Sequence, residues 1–359
     1  HPKDVDVFVD ERFAPADPPS LAVHTLRPPA PIAHAWDDAG TDVTSLVAQD
    51  DGRYLDTFAR GRYQGLAADH FVDIDLGRPI AADARMWLVA DGWVYPTDSS
   101  INVAIGQGQG PKPHGLSLEA QDVHGRWHVV SPDLGFPEGK NKTVLIDLSA
   151  VPRAGLIGVR RVRLRTNLEI YWDAIRVAEG AANASVRTTR IEASRADLRY
   201  RGFSETRTAS RTSPELPIYG RLANTAPRWR DLAGYYTRFG DVRPLLAKAE
   251  DRYVIMNAGD ELRLAFPALP PPAAGWTRDF VLIGDGWVKD GDYNTSYSKT
   301  VLPLPSHLTP RYESASMPPT LANDPVYQRY PDDWQTYHTR YVTPRAYLEG
   351  LELVARGPQ

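Results

Sequence analysis

The segment KDGDYNTSYS, residues 289–298, places oxygen-bearing side chains at alternate positions, namely Asp290, Asp292 and Asn294. Calcium binds six to eight oxygen ligands, and a D-x-D-x-N run resembles the start of a calcium-binding loop. Asp285 lies close enough in sequence to add another carboxylate. The glycine and the final glutamate of an EF-hand loop are missing, so the same residues also fit a polar turn. We therefore expect either a structural calcium site on these four residues or a turn, and no other cofactor.

The motif Asp-Gly-Trp-Val occurs twice and ends an apolar run each time, first with Trp93 and then with Trp287. An aromatic side chain at the end of a strand can pack into the core, or it can offer a flat face to a sugar ring or a protein partner. Its occurrence in both copies favours a shared role in the core. Other aromatic side chains that could bind a ligand are Trp172 in TNLEIYWDAI and Tyr293 and Tyr297 in the acidic segment.

Signatures of catalytic chemistry are few. The sequence contains no cysteine, which excludes disulfides and thiolate metal sites, and it contains no nucleophile-elbow, zinc-protease or phosphate-loop motif. Two carboxylates such as Asp173 and Asp91 could form a glycosidase pair, but Asp173 also fits a strand-end residue beside packed aromatic side chains. His1 could chelate copper only as the mature N-terminus of a protein. We expect no enzyme activity.

Two longer stretches recur in the same order about two hundred residues apart, which indicates an internal duplication. DVTSLVAQDDGRY at 42–54 is followed by LVADGWV at 88–94, and DVRPLLAKAEDRY at 241–253 is followed by LIGDGWV at 282–288. A length of 359 residues also fits two domains better than one. A small, polar and weakly patterned stretch separates the copies. We therefore predict a first module at 21–179 and a second module at 180–359.

Short runs with period-two alternation dominate the chain. In FVDIDLG, Val72 and Ile74 fall on one face and Asp73 and Asp75 on the other, as a half-buried antiparallel strand requires. The apolar run Phe280–Val288 is expected to form a strand in the second module. Helical spacing is confined to short segments, of which the best are the two copies of the first repeat, and each of these is expected to form one or two turns of helix. Loops rich in Pro and Gly separate the strands. The pattern predicts an all-β chain of two related β-sandwich modules, of jelly-roll or galactose-binding-like type, with few short helices.

Composition excludes several classes of protein. The formal net charge is only −4, and Lys and Arg are spread along the chain, so nothing indicates a nucleic-acid-binding surface. No window approaches the roughly 18 consecutive apolar residues of a membrane-spanning helix. The first residues, HPKDVDVFVDERF, lack the apolar region of a signal peptide. We expect a protein that does not span a membrane.

Several motifs together resemble one group of bacterial proteins. They are HPKDVDVFVDERF, DGRYLDTFARGRYQG, TNLEIYWDAIRV, ADLRYRGFS, GYYTRFGDVRPLLAKAEDRYVIMNAGDELRL, RDFVLIGDGWVKDGDYNTSYSKTVLPLPSH and DWQTYHTRY. They are similar to the C-terminal region of large proteins that carry FG-GAP (VCBS-like) propeller repeats and an ASPIC/UnbV-type segment. The resemblance implies that residues 1–20 are the tail end of an upstream ASPIC-like segment, and that a propeller of the same polypeptide is a partner. It implies no catalytic residues.

These observations give three classes of function. The first is a non-catalytic binding or scaffolding module of an exported bacterial surface protein, which recognises a glycan or a protein partner through loops and exposed aromatic side chains. The second is a structural subunit of an extracellular filament, a sheath or a membrane-associated complex. The third is a carbohydrate-active enzyme, which requires two carboxylates about 5–10 Å apart in a cleft. The resemblance implies an extracellular, cell-surface or periplasmic location.

Overall fold

A computed structural model describes residues 1–9, 23–83, 85–136, 139–208, 210–226, 231–248, 250–289, 291, 297–307, 319–347 and 349. The chain is all-β with few short helices, as the alternation of its sequence predicts. The first half holds eleven strands in the described residues: β1 (Asp6–Val9), β2 (Val23–Leu26), β3 (Ala30–Pro31), β4 (His34–Asp37), β5 (Leu66–Asp75), β6 (Met86–Val94), β7 (Ser117–Gln121), β8 (Trp127–Ser131), β9 (Lys142–Asp147), β10 (Arg161–Leu168) and β11 (Ile170–Glu179). Two helices accompany them, α1 (Ser99–Gln107) and α2 (Ala150–Arg153), with a 3-10 turn at Thr44–Leu46.

Two antiparallel sheets of this half pack face to face as a β-sandwich. One sheet has the strand order β4-β5-β10-β7-β8, and the other has the order β3-β11-β6-β9. Alternate residues point into the space between them, including Ile74 from β5, Leu164 from β10, Leu88 from β6 and Ile175 from β11, all of which are buried in one core. Burial of this continuous apolar layer is the main force that holds the two sheets together.

The outer face of the five-stranded sheet carries a ladder of opposite charges. Asp73 on β5 lies opposite Arg163 on β10, which in turn lies opposite Glu119 on β7. Two guanidinium nitrogens of Arg163 donate to the two carboxylate oxygens of Asp73 at 2.6 and 3.1 Å, and a third nitrogen lies 3.7 Å from Glu119. The Arg163 guanidinium also lies 3.5 Å from the ring centre of Phe71 and 4.0 Å from that of Trp127. Aromatic rings therefore shield the ion pairs of Arg163 from water.

The second half forms smaller sheets. Its strands in the described residues are β12 (Arg195–Tyr200), β13 (Phe203–Arg207), β14 (Leu216–Asn224), β15 (Gly234–Tyr236), β16 (Gly240–Asp241), β17 (Asp260–Ala265) and β18 (Arg340–Val342). The pairings are β16-β12-β17, β13-β14 and β15-β18, all antiparallel. Two short helices, α3 (Pro325–Arg329) and α4 (Asp333–Thr336), and 3-10 turns at Arg243–Leu246 and Leu321–Asn323 complete the elements of the described residues. No helix in this part or in the rest of the described chain is long and apolar enough to cross a membrane.

The first repeated motif has the same local structure in both halves. In the first copy, Asp42 accepts a hydrogen bond from the backbone N–H of Thr44, and buried Val43 donates to the carbonyl of Ala35 on β4. The second copy repeats this arrangement: Asp241 accepts from Arg243, and buried Val242 donates to the carbonyl of Ala196 on β12. Each copy continues into a 3-10 turn. The short helical turns that the sequence predicts at both places are therefore present.

The second repeated motif differs between the halves. LVADGWV lies on β6, which is paired on one edge with β11 and on the other with β9. LIGDGWV lies in residues 277–289, which have no assigned strand, and Leu282 and Val288 are exposed. The strand predicted for Phe280–Val288 is thus not formed, because within the described chain no neighbouring strand pairs with these residues. The boundaries at 20/21 and 179/180 remain predictions.

Candidate functional site

Three separate segments of the second half meet at one polar cluster. Asp251 follows the 3-10 turn of the first repeated motif, Asp285 and Trp287 come from the second Asp-Gly-Trp-Val copy, and His307 ends the run PLPSH. The side chain of Asp251 is only 3% exposed, whereas those of His307 and Asp285 are 23% and 29% exposed. The cluster therefore has a buried end at Asp251 and an end at Asp285 that water reaches.

The imidazole of His307 lies between two carboxylates. Its Nδ1 is 2.8 Å from Oδ1 of Asp251, and its Nε2 is 3.2 Å from Oδ2 of Asp285. The backbone N–H of His307 also donates to Asp251 at 2.8 Å, and the hydroxyl of Ser306 donates to the other oxygen of Asp251 at 3.0 Å. Burial acts to raise the pKa of Asp251, but these hydrogen bonds hold it below its usual value. Asp251 therefore orients the ring and presents Nε2 to Asp285.

Trp287 forms the apolar wall of this cluster. Its ring meets the ring of His307 edge-on, with the ring centres 5.9 Å apart. Trp287 is 51% exposed, so a large part of its surface faces solvent. The cluster opens on a wide groove of about 3580 Å³, whose lining includes Asp285, Trp287, Tyr297 and Pro305. An aromatic face beside a fixed carboxylate and an imidazole can contact a ligand that has both apolar and hydroxyl surfaces.

The aromatic residues of the first module that are predicted to bind a ligand lie away from this cluster. Trp93 on β6 is 5% exposed and stacks on Tyr171, with the ring centres 5.2 Å apart. Its Nε1 donates to the backbone carbonyl of Thr212 in the second half at 3.0 Å. Trp172 on β11 is buried in the sandwich core. This placement favours a structural role for both tryptophans, because neither offers a free face to a ligand.

The predicted calcium site lies mainly outside the described residues. Asp290, Asp292, Tyr293 and Asn294 belong to that part of the chain. Asp285 is described, and its carboxylate contacts His307. No group of three or more His, Cys, Asp or Glu side chains within the described residues is arranged to hold a metal ion. The calcium site on Asp285, Asp290, Asp292 and Asn294 therefore stays a prediction.

Sequence reasoning singled out Asp285 and Trp287 but missed Asp251, Ser306 and His307. Asp251 falls inside the first repeated motif, yet its counterpart in the first copy is Gly52. Gly52 donates its backbone N–H to the carboxylate of Asp173 at 3.1 Å. A buried carboxylate thus lies near this turn in both halves. In the first half it is Asp173 on β11, and in the second half it is Asp251, which follows the turn itself. The change from Gly to Asp between the copies was the one signal in the sequence that could have indicated the site.

The two carboxylates suggested as a glycosidase pair in the first module each have other partners. Asp91 contacts Arg176 and accepts a hydrogen bond from Thr143 at 2.6 Å. Asp173 instead accepts backbone N–H groups from the 51–52 turn. The two carboxylates therefore serve different partners on the four-stranded sheet.

Asp173 gives the first half a testable dependence of stability on pH. Burial, together with its hydrogen bond to Asp50, raises the pKa of Asp173 to about 6, compared with 3.8 in the unfolded chain. The folded state therefore retains this proton to a higher pH than the unfolded state does. The resulting stabilisation is fully present below pH 3.8 and is lost as the pH rises to about 6.

We expect Asp173→Asn, which mimics the protonated carboxyl, to remove that dependence. Between the two pH values, the free energy of unfolding of the wild type should fall by about 1–3 kcal/mol relative to that of the variant. Urea unfolding followed by far-UV circular dichroism at several pH values measures the difference. If the free energies of unfolding of the two proteins change with pH in the same way, Asp173 is already ionised in the folded protein at pH 5.

Comparisons with known proteins add little at the level of the whole chain. No protein-family model matches the sequence, and a search of curated proteins finds no match. Among solved structures, a chain described as "CpGH89CBM32-6 produced by Clostridium perfringens" is 13% identical, with a TM-score of 0.21. The match covers 50% of this chain and 95% of that chain. A TM-score this low does not establish a shared fold.

Proposed function

We propose that the protein is a non-catalytic recognition module that binds a glycan through Trp287, Asp285 and His307. The observation that carries this proposal is the half-exposed indole of Trp287 set edge-on to His307, whose Nε2 is 3.2 Å from Asp285. Sugar rings have an apolar face of C–H groups and a rim of hydroxyls. An indole face binds the first, and a carboxylate with an imidazole binds the second. The buried contact of His307 with Asp251 holds these groups in place before a ligand arrives.

The context of the module forms a second part of the proposal. The motif resemblance supports a location outside the bacterial cell or at its surface, in a polypeptide whose upstream part contains an FG-GAP propeller and an ASPIC/UnbV-type segment. A binding module on such a protein would attach it to surface glycans, while the propeller would contact other partners. Detection of the endogenous protein in surface and periplasmic fractions tests this location.

A second candidate function is assembly with other protein chains. Phe280 and Leu282 are each 74% exposed, and Val281 and Ile283 beside them are also exposed. A contiguous apolar surface of this kind is unusual on a monomer and often marks a protein interface. Sedimentation velocity across a range of concentrations separates the two functions, since a structural subunit forms stable oligomers and a recognition module need not.

Replacing Trp287 by alanine is expected to weaken glycan binding strongly without unfolding the protein. A glycan array followed by calorimetry with the best oligosaccharide provides the measurement, and we expect affinity to fall at least about tenfold. The free energy of unfolding should fall by no more than about 1–2 kcal/mol, because only about half of Trp287 is buried. Tyr219→Ala is the matched control, since this exposed tyrosine lies on β14 of the same half.

Four outcomes count against the proposal. An array without any bound glycan would overturn it, as would a Trp287→Ala protein that binds as tightly as the wild type. Recovery of shortened products after incubation with the bound oligosaccharide would replace recognition by catalysis. Equal losses of binding in Trp287→Ala and Tyr219→Ala would place the binding surface elsewhere.

A further inference from the structure

A cavity of about 550 Å³ lies between β15, β18 and the short helices of the second half. Its volume is within the range of about 300–1,000 Å³ that is typical of small-molecule sites. One wall is the β15-β18 pair, and the run 299–302 lies along β15, where Ala233 donates to the carbonyl of Lys299 at 3.0 Å. Leu321 and Trp334 cover the other side. The cavity is distinct from the cluster at His307.

Aromatic rings supply much of the lining. Tyr235 and Tyr341 lie opposite each other on the strand pair, with ring centres 4.6 Å apart and planes inclined at 44°. Trp334 and Tyr347, which are both buried, contribute further rings. Aromatic side chains at several angles around one space favour a flat aromatic ligand, since such a ligand can stack on one ring and meet another edge-on.

The polar groups of the lining favour a negative charge on that ligand. Lys299 is exposed and is the single charged residue among the described residues of the lining. The indole N–H of Trp334 is buried and has no hydrogen-bond partner in the described part of the chain, so this wall contains an unsatisfied donor. A cation and a donor, with no carboxylate in the lining, match an anionic acceptor better than a neutral or cationic group.

We propose that this cavity binds a small aromatic carboxylate, with the ring between Tyr235, Tyr341 and Trp334 and the carboxylate toward Lys299. The cavity contains none of Asp285, Trp287 and His307, the residues proposed to bind the glycan. It shares Ile255, Val301 and Leu304 with the groove beside them, and these are apolar wall residues of both. The second half would then bind a small molecule in addition to the proposed glycan.

A matched set of three naphthalene compounds tests the charge preference. We expect 2-naphthoate to bind more tightly than neutral 2-naphthalenemethanol, and 2-naphthylmethylammonium to bind most weakly, as measured by calorimetry and by the rise in melting temperature. Lys299→Glu should weaken 2-naphthoate about three- to tenfold and leave the neutral compound within about twofold. Lys248→Glu, which changes an exposed lysine outside the cavity, is the control and should change neither.

Two further measurements locate the bound molecule. Leu321→Trp fills the cavity and should abolish binding of all three compounds. If that variant does not fold, photolabelling of the wild type with 4-benzoylbenzoate decides the question, because the label should fall on peptides that contain Tyr235, Val301 or Tyr341. Absence of binding by any compound, equal affinity for the anion and the cation, or labelling confined to other peptides would overturn the proposal.

Discussion

Replacing Trp93 by alanine is expected to lower the free energy of unfolding by about 3–5 kcal/mol, the usual cost of removing a large buried aromatic side chain. Trp93 is 5% exposed and packs in a cluster with Tyr54, Phe58 and Tyr171. Its loss would leave a cavity within this cluster and would remove the hydrogen bond from Nε1 to the carbonyl of Thr212. Since Thr212 belongs to the second half, the variant should also weaken the contact between the halves.

The measurement for Trp93 is urea unfolding followed by far-UV circular dichroism, with two matched variants. Trp93→Phe keeps a ring but loses the N–H group, so a smaller loss of about 1–2 kcal/mol is expected from the unsatisfied carbonyl. Trp287→Ala removes the same residue type from the second copy of the motif and should cost no more than about 1–2 kcal/mol, because about half of Trp287 is exposed. Similar unfolding midpoints for Trp93→Ala and Trp287→Ala would contradict the assignment of different roles to the two tryptophans.

The contrast between the two tryptophans shows what a repeated motif can and cannot predict. The turn after Asp42 and Asp241 depends on local hydrogen bonds and one buried valine, so the same letters give the same structure in both halves. The environment of Asp-Gly-Trp-Val depends on neighbouring strands. In the first half β9 and β11 cover Trp93, and in the second half the described residues provide no such strands. Motif identity alone could not reveal that difference.

The all-β fold followed from the sequence because alternation is a local property. Val72 and Ile74 are buried and Asp73 points outward, as their order along β5 requires. The cluster at His307 did not follow, because its members are 22 and 56 residues away from their partners and no periodic pattern connects them. Only the chain path through the second half brings Asp251, Asp285 and His307 together.

The charged ladder on the five-stranded sheet arises only when β5 and β10, each predictable from its own sequence, are paired. The sequence of β5 places aspartates on its outer face, and that of β10 places arginines on its outer face. The register pairs Asp73 with Arg163, and this pairing cannot be read from either segment separately. Arg163 is only 13% exposed, because Phe71 and Trp127 lie on its guanidinium group. The ion pair is therefore shielded from water far more than a surface pair.

We expect Arg163→Met to destabilise the protein by about 3–5 kcal/mol, because it leaves the carboxylate of Asp73 shielded from water without its cation and removes one of the two arginines beside Glu119. The loss of the arginine stem and its ring contacts is small, since methionine keeps much of the apolar volume. Urea unfolding of the variant against the wild type gives the value. Arg153→Met is a matched control: Arg153 also pairs with an aspartate, but 66% of its side chain is exposed, so less than about 1 kcal/mol is expected.

A triple variant separates the missing charge from the missing packing. In Arg163→Met with Asp73→Asn and Glu119→Gln, no shielded charge is left without a partner at this position, so most of the stability should return. If the triple variant is as unstable as Arg163→Met, the guanidinium acts through its stacking between Phe71 and Trp127 and not through the ladder. If Arg163→Met itself loses less than about 1 kcal/mol, water reaches the ladder and the aromatic cover does not exclude it.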